Sequence, residues 1–239
     1  LYDTYGLPIE IAEDIATKNG LSIDKEAFEK ALEAQQERGR GTQEFVQTIR
    51  LSEGYKTFAS LTSEFVGYGE LAVSSKVSGL IVGGGITTSA SVNQQVEIIT
   101  GQTSFYPEGG GQLSDIGVIR GPEGVARITS VIRPVPESPN FIVHIGILES
   151  GTISVGDTVS MEVDTDHRQR TTRHHTATHL LHSGLRHILG QHVRQAGSLV
   201  APDHLRFDFS HNDSIDSHTL MRVADTVNTR IMHNLIVQT

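Results

Sequence analysis

The stretch Thr171–Leu189, TTRHHTATHLLHSGLRHIL, predicts a helix with two unlike faces. A helix turns about 100° per residue, so residues three, four and seven positions apart share a face. His175, His179 and His182 therefore fall on one side. The other side is an apolar stripe made of Ala177, Leu180, Leu181, Gly184, Leu185 and Ile188. This pattern indicates a helix that packs its apolar stripe against a core and presents a row of histidines elsewhere.

The spacing of His175 and His179 suits a metal ion. Two imidazoles four positions apart on a helix lie about 6 Å from each other and can bind one cation, as at many zinc sites. A zinc peptidase of the HExxH type has Glu directly after the first His, where this chain has Thr176. Chance pairs on exposed helices are also common in a chain with 12 His. The residues alone leave both readings open, and His182 is interpreted as a neighbouring or surface group.

Around this helix the chain alternates between helix and strand. We expect Thr171 or Thr172 to cap its beginning and Gly190 to end it. The elements predicted after it are a strand at Leu205–Phe209, a helix from about Ser217 to His233, and a strand that begins at Leu235–Val237. This order is typical of an α/β core.

Upstream, residues 45 to about 165 have β character. Short runs rich in Val, Ile and Thr alternate with Gly, Pro, Asn and Ser, which favours a small barrel. Gly83-Gly84-Gly85 is interpreted as a hairpin turn. The predicted strands are Leu71–Val77, Gly79–Val82, Val96–Ile99, Arg127–Ile132, Phe141–Ile145 and Thr158–Val163.

The first 40 residues read as two helices. Pro8 suits the first turn of a helix that ends at Gly20, and Asp24 suits the N-cap of a second helix through about Arg38. The predicted fold class is α+β, with N-terminal helices, a small β-barrel and an incomplete α/β core. The expected boundaries are 1–45 for the helical segment, 46–165 for the barrel and 166–239 for the core.

A glycine-rich motif lies within the barrel region, at Phe105–Gln112, FYPEGGGQ. Three consecutive glycines permit positive φ and close approach, so a ligand phosphate, a ribose or another backbone could pack there. A tight barrel turn explains the glycines equally well. It does not explain why the directional side chains of Glu108 and Gln112 bracket them.

Composition narrows the class of protein. The net charge is −9, no apolar run approaches 18 residues, and cysteine is absent, which excludes disulfides and thiolate metal sites. We expect a cytoplasmic protein without a membrane span. The chain opens on Leu1 and ends at Thr239 after an apolar run, so we expect a piece of a longer protein.

Positive charge gathers near the histidines. Residues 165–195 carry the single acid Asp166 against five arginines: Arg168, Arg170, Arg173, Arg186 and Arg194. This zone is either a solvated face or a surface for an anionic partner.

Together these segments resemble alanyl-tRNA synthetases, over essentially the whole chain. Leu1–Pro8 is similar to the end of that family's tRNA-recognition region, and Phe105–Gln112 to the glycine-rich signature of its barrel. Three segments resemble its editing domain, in the family's order: His175–His182, Gln195–Leu199 and Arg206–His211. Free-standing editing proteins share the barrel and the histidine pair but lack Leu1–Pro8.

The resemblance implies an enzyme that ligates alanine to its tRNA with ATP and hydrolyses seryl- or glycyl-tRNA for alanine. It implies Zn²⁺ on His175 and His179, with two further ligands from a Cys-x-x-x-His pair beyond Thr239, so that two of four expected ligands are present. It implies that Thr178 and Gln195 act in substrate selection and hydrolysis. The residues expected to contact the substrate are Gly109, Gly110, Gly111 and Gln112, with Arg170, Arg173 and Arg194 on acceptor-stem phosphates.

Two other classes of function remain as alternatives. The chain could be an inactive module that binds tRNA or joins neighbouring domains, since half of the implied ligand set is missing. An unrelated metallohydrolase would need acidic ligands beside the histidines, and only Asp166 is close in sequence. Serine against glycine preference and oligomeric state are not determined by the sequence.

Overall fold

A computed structural model describes residues 53–234, which lie within the compact unit Leu51–Thr239. The helices predicted at Pro8–Gly20 and Asp24–Arg38, and the strand predicted at Leu235–Val237, lie outside the described residues. The elements are, in order, α1 Glu53–Phe58, β1 Glu64–Phe65, β2 Ala72–Val82, β3 Gly85–Thr87, β4 Ser89–Ser91, β5 Gln95–Thr100, β6 Gln102–Thr103, β7 Gly117–Arg120, β8 Glu123–Ile132, β9 Val143–Ser154, β10 Thr158–Val163, α2 Thr165–Leu189, β11 Gln195–Val200, β12 Leu205–Phe209 and α3 Ser217–Met232.

Six strands form a closed antiparallel barrel in the order β10, β7, β8, β9, β5, β2, and β2 pairs back onto β10. Closure pairs the outer strands and so removes the exposed edges of the sheet. The interior is filled by branched aliphatic side chains, among them the fully buried Leu80, Ile98, Ile119, Ile128, Leu148 and Ile153. The fold class predicted from the sequence, α+β with a small barrel, is confirmed.

Strand boundaries differ from the sequence prediction at several places. Leu71–Val77 and Gly79–Val82 were predicted as two strands, but they form the single strand β2. A bulge between Val77 and Gly79 lets the strand continue past the apparent break. Strand β7 was not predicted because its four residues are too few to show an alternating pattern.

The hairpin turn predicted at Gly83–Gly85 is confirmed. Gly83 and Gly84 connect β2 to β3 with φ of +59° and +79°, and Val82 pairs with Gly85. Two consecutive residues with positive φ match the right-handed twist of the flanking strands, and glycine adopts that conformation without steric cost.

His144 lies fully buried on β9, inside the barrel. Its Nδ1 is 2.9 Å from the carbonyl oxygen of Ile98, which can only accept a hydrogen bond, so Nδ1 carries the proton. Its Nε2 then accepts from the Thr103 hydroxyl at 2.7 Å. Burial lowers the pKa of His144 from 6.5 to about 4, so the ring is neutral at pH 7.

We expect the stability of the barrel to fall as the pH is lowered from about 6.5 to about 4. In this window the unfolded chain takes up a proton on His144 and the folded chain does not, so the proton favours unfolding. The loss approaches about 3 kcal/mol at the lower end, because one pKa unit corresponds to about 1.4 kcal/mol. Urea unfolding at several pH values would measure it.

The variant His144→Asn is the control for this pH dependence, because asparagine retains a donor for the Ile98 carbonyl and cannot be protonated in this range. The difference between the two proteins isolates His144 from the other histidines. Equal losses of stability in both proteins between pH 6.5 and 4 would contradict the assignment.

Helix α2 begins earlier than the sequence predicted. It starts at Thr165, with Asp164 as N-cap, whose carboxylate accepts from the His167 amide at 2.9 Å. The predicted caps, Thr171 and Thr172, lie inside the helix, and their hydroxyls donate to carbonyls one turn back. The predicted end is confirmed, since Gly190 closes the helix with φ of +117°.

A buried ion pair joins α2 to the barrel. Nε of Arg168 lies 2.9 Å from Oδ1 of Asp115, a second guanidinium nitrogen contacts Oδ2, and the Asp115 side chain is 2% exposed. The same guanidinium donates to the carbonyls of Gly67 and Ser104 at 2.6 and 2.8 Å. Each guanidinium nitrogen of Arg168 therefore has a partner, and its side chain is only 14% exposed, so Arg168 serves mainly to join α2 to the barrel.

The apolar stripe of α2 packs as predicted. Leu185 is buried against Val193 and Val223, which brings α3 and the loop before β11 onto one face of α2. Leu181 and Ile188 join this cluster, as do Phe207 and Phe209 of β12. No helix within the described residues has the length and apolar character needed to cross a membrane.

Candidate functional site

The histidines predicted as metal ligands lie side by side on α2. The ring centroids of His175 and His179 are 5.0 Å apart and the rings are tilted by 41°. His175 is half-buried and His179 is exposed. Two imidazoles at this separation can direct a nitrogen each toward one cation.

Gln112 sets the orientation of His175. Its amide oxygen lies 2.6 Å from Nδ1 of His175, and the Gln112 side chain is buried. An amide oxygen only accepts hydrogen bonds, so Nδ1 donates and Nε2 keeps its lone pair. A partner on the second ring nitrogen is the usual companion of a metal-binding histidine.

Electrostatics favour the neutral form of His175. Burial lowers the pKa of His175, and the charge of His179 lowers it further. A neutral imidazole binds a cation without first losing a proton. The ring is therefore in the state that a metal site requires.

The glycine-rich motif forms the turn that holds Gln112. Gly109 and Gln112 exchange backbone hydrogen bonds at 3.1 Å, and Gly110 and Gly111 between them have φ of +63° and +81°. Both predicted uses of the motif occur here, a tight turn and the close approach of another backbone. The approaching backbone is β11, since the Val200 amide donates to the Gly111 carbonyl at 2.7 Å.

Gly111 cannot be replaced without cost. A Cβ at this position would lie 2.4 Å from the carbonyl oxygen of Ser198, inside van der Waals contact, and its φ disfavours other residues. The glycine is thus required where the barrel meets β11. That contact places Gln112 against the helix that carries the histidines.

These elements enclose a small cleft of about 90 Å³, which we name the histidine cleft. It brings together residues from α2, from the glycine turn and from β11 and β12, which pair as an antiparallel hairpin. Its lining residues are Gly110, His175, Thr178, His179, His182, Gln195, Ser198, Val200 and Phe207. Among the residues predicted from sequence, Gly110, His175, Thr178, His179 and Gln195 line it directly, whereas Gln112 reaches it through His175.

Thr178 and Gln195 occupy different environments in the histidine cleft. Thr178 is buried, and its hydroxyl donates to the His174 carbonyl at 2.8 Å, which leaves its lone pairs as acceptors. Gln195 is exposed at the start of β11, beside an irregularity between Gln195 and Gly197. His182 contributes a buried Nε2 that has no hydrogen-bond partner among the described residues.

The predicted arginines are exposed on the surface and do not line this cleft. Arg170 pairs with Asp166 at 2.7 Å, with both side chains exposed, and Arg173 approaches Gln169 at 3.5 Å. Arg194 borders an open depression together with Arg186.

Sequence reasoning missed Arg230, which lies on α3. With Arg186, His187 and His179 it lines a second part of this open surface, and its guanidinium donates to the Ser183 hydroxyl at 2.6 Å. No local pattern signals this residue, because only the packing of α3 against α2 brings it to the histidines. We name the surface formed by Arg186, Arg194 and Arg230 the basic depression.

The donor set for a metal ion was also tested against the structure. Between residues 53 and 234, no group of three or more His, Asp or Glu side chains is placed to bind one ion. The described residues therefore offer the pair His175 and His179, of which His175 is oriented by Gln112. This geometry fits half of a tetrahedral zinc site.

Comparison with known proteins gave consistent matches. Residues 1–167 match the family described as tRNA synthetases class II (A). The chain is 44% identical over 240 residues to an alanine–tRNA ligase of Fervidobacterium nodosum, which covers all of this chain and 27% of that protein. It is 42% identical over 231 residues to the alanine–tRNA ligase of Roseiflexus sp. (strain RS-1), covering 97% and 25%. The chain thus spans about a quarter of the length of the curated relatives it matches.

Proposed function

Because the chain belongs to the alanyl-tRNA synthetase family, within the class II (A) tRNA synthetases, we propose that it forms part of an enzyme that joins alanine to its tRNA with ATP. Within that enzyme, its barrel and α2 region hydrolyse the ester of tRNA for alanine mischarged with serine or glycine. The observation that carries this proposal is the histidine cleft, in which His175, His179, Thr178 and Gln195 surround one small space.

His175 and His179 would hold Zn²⁺, and Gln112 fixes the ring of His175 with Nε2 available. When bound, the ion supplies a Lewis acid that polarises an oxygen of the substrate or water. The family resemblance implies that the remaining ligands would be a cysteine and a histidine from outside residues 1–239. The donors present are those that zinc prefers.

The protein groups of the histidine cleft supply positioning. The lone pairs of the Thr178 hydroxyl can accept a hydrogen bond from the hydroxyl of a seryl group or from the attacking water. The Gln195 amide can donate to the ester carbonyl, where negative charge develops. An aminoacyl ester is already activated, so orientation and oxyanion stabilisation provide much of the required acceleration.

The size of the cleft favours a small aminoacyl group. Its volume of about 90 Å³ is well below the roughly 300–1,000 Å³ that is usual for pockets that hold drug-sized ligands. Glycyl and seryl groups are small enough for such a space, whereas large apolar side chains are not. We therefore propose that size excludes larger esters and that contact with Thr178 distinguishes serine.

The exposed arginines would bind the phosphates of tRNA. Arg170, Arg173 and Arg194 were expected there from the sequence, and the basic depression adds Arg186 and Arg230. Each contact with a phosphate releases counterions, so binding weakens as salt rises. Because the net charge of the chain is −9, the attraction of RNA phosphates must come from these arginines at short range and not from the charge of the whole chain.

A second candidate function is a module that binds tRNA without hydrolysis. The observation that favours it is the absence, between residues 53 and 234, of a third metal-binding side chain beside the histidine pair. In this case the exposed arginines bind RNA and the histidine cleft does not catalyse hydrolysis. Zinc content measured on the purified chain separates the two candidates.

The test is deacylation of tRNA for alanine that carries serine, glycine or alanine. Hydrolysis is followed with the chain and with the full-length protein that carries it, in the presence of zinc. We expect seryl-tRNA to be hydrolysed about 10-fold faster or more than alanyl-tRNA, since alanine has no hydroxyl to pair with the Thr178 acceptor. We expect glycyl-tRNA also to be hydrolysed faster than alanyl-tRNA, as the editing role requires. Equal rates for all three esters would contradict an editing role, and RNA binding without hydrolysis would support the binding module.

A further inference from the structure

A larger cleft lies next to the histidine cleft and shares His175 with it. Its volume is about 400 Å³, and we name it the aromatic cleft. It is formed where Tyr106 and the segment after β1 meet the first half of α2. Its principal lining residues are Phe65, Tyr68, Tyr106, Gln112, Thr172 and His175.

Three aromatic rings form one wall of this cleft. The ring centroid of Phe65 lies 5.1 Å from that of Tyr68 and 6.0 Å from that of Tyr106, and both contacts are edge-on. Tyr68 is nevertheless 90% exposed. Because so little of the Tyr68 side chain is buried, it contributes little to the core, and the exposed face of its ring is available to a ligand.

Tyr68 is carried by a backbone that the fold holds in place. The carbonyl of the preceding residue, Gly67, accepts from the buried Arg168 at 2.6 Å. A Cβ on Gly67 would lie 2.2 Å from the carbonyl oxygen of Ser104, so the turn packs tightly against the barrel. The amides of Gly69 and Glu70 donate to the Val66 carbonyl and close the turn. The ring is thus presented by an ordered segment.

Charge near this wall suits an anionic ligand. Arg133 lies close to Tyr106, since its guanidinium is 3.6 Å from the Cβ position of Gly109 and its charge lowers the pKa of Tyr106, which burial raises. The carboxylate of Asp115 is occupied by Arg168. Aromatic faces beside an exposed cation are the features by which proteins bind single-stranded nucleic acid.

We propose that the aromatic cleft binds the unpaired terminal base at the 3′ end of an RNA, which stacks on Tyr68. The inference rests on the proposed function, because the ester to be hydrolysed is attached to the ribose of that same nucleotide. His175 lines both clefts, so a ribose beside it can direct its base into the aromatic cleft and its ester into the histidine cleft. The phosphate of this nucleotide would then lie toward the basic depression. The depression and the histidine cleft are both lined by His179 and His182.

The test compares two RNA hairpins with an unpaired 3′ end, one with a base on the last nucleotide and one abasic there. Affinities for the chain are measured by fluorescence anisotropy. We expect wild-type protein to bind the base-bearing RNA about 5-fold to 100-fold more tightly than the abasic RNA, the range typical of stacking one base on an aromatic ring. Tyr68→Ala should bind both RNAs with the lower affinity.

Two variants serve as controls. Tyr68→Phe keeps the ring and should retain most of the discrimination between the two RNAs. Val155→Ala changes another exposed apolar side chain, one that lines neither cleft, and it should behave as wild type. Tyr68 is exposed, so none of these variants is expected to impair folding.

Each outcome bears on a different claim. RNA binding that is equal for the two hairpins in wild-type protein overturns the stacking site and leaves the proposed function intact. Failure to bind either RNA overturns both. If Tyr68→Ala instead weakens self-association in sedimentation runs and leaves discrimination unchanged, the aromatic cleft is an interface between copies and the proposal is wrong.

Discussion

Replacement of both His175 and His179 by alanine should lower the rate of the proposed hydrolysis of seryl-tRNA, measured with the full-length protein, by about 100-fold or more. The physical reason is the loss of the two imidazole rings that would hold the metal ion. Their centroids are 5.0 Å apart, and both rings line the histidine cleft. Groups that stabilise charge in the transition state typically contribute this much to kcat. The rate is measured as release of labelled serine, with bound zinc determined on the same samples.

The controls separate chemistry from folding. Alanine favours helix, so the double variant should retain the circular dichroism of the wild type. The activity of Gln112→Ala should lie between those of the wild type and the double variant. We expect about a 10-fold to 100-fold loss of zinc affinity or activity, because the substitution removes the hydrogen bond that orients His175. Replacement of the exposed His204 and His218 should have no effect. Unchanged hydrolysis in the double variant would remove the histidine pair from the mechanism.

Asp115→Ala should lower the free energy of unfolding by about 3–5 kcal/mol. The substitution leaves the Arg168 guanidinium in a site where it is only 14% exposed and has lost its carboxylate partner. Removing one member of a buried ion pair usually costs this much, because the remaining charge is neither hydrated nor neutralised. The Tyr106 amide also loses its acceptor at 2.6 Å. Chemical denaturation followed by circular dichroism measures the change.

The same helix supplies the matched control. Asp166 and Arg170 form a pair 2.7 Å apart, but their side chains are 72% and 57% exposed. Asp166→Ala should therefore change stability by less than about 1 kcal/mol, as is usual for surface pairs. Similar losses in the two variants would show that burial of the Asp115–Arg168 pair is not what makes it important.

This contrast also changes how the basic zone is understood. From the sequence, Arg168 and Arg170 were equivalent members of one cluster of arginines. In the structure, Arg168 fixes α2 to the barrel and Arg170 is a surface side chain. The position of the histidine pair relative to the glycine turn therefore depends on Arg168 and not on Arg170.

Local patterns were sufficient for much of the fold. The apolar stripe of α2 and its end at Gly190 follow from helical periodicity and glycine geometry within a short window. The same holds for α3, for the turn at Gly83–Gly84, and for β10, whose alternating exposure matches a half-buried strand. The beginning of α2 was wrong because Thr171 and Thr172 are suitable caps by residue type, whereas Asp164 is the residue that β10 delivers to the helix entry.

The sequence by itself determined which side chains could bind a metal, since His175 and His179 are neighbours on any helix that contains them. Only the tertiary structure decided that Gln112, 63 positions away, would orient one of them. The same is true of the contact between Gly111 and Ser198, and of Arg230 beside the basic depression. The contacts of Gln112 and Gly111 depend on barrel closure and on the Arg168–Asp115 pair, and the position of Arg230 depends on the packing of α3 against α2. Short-range periodicity carries no information about them, because it fixes the face of an element and not the surface against which that face packs.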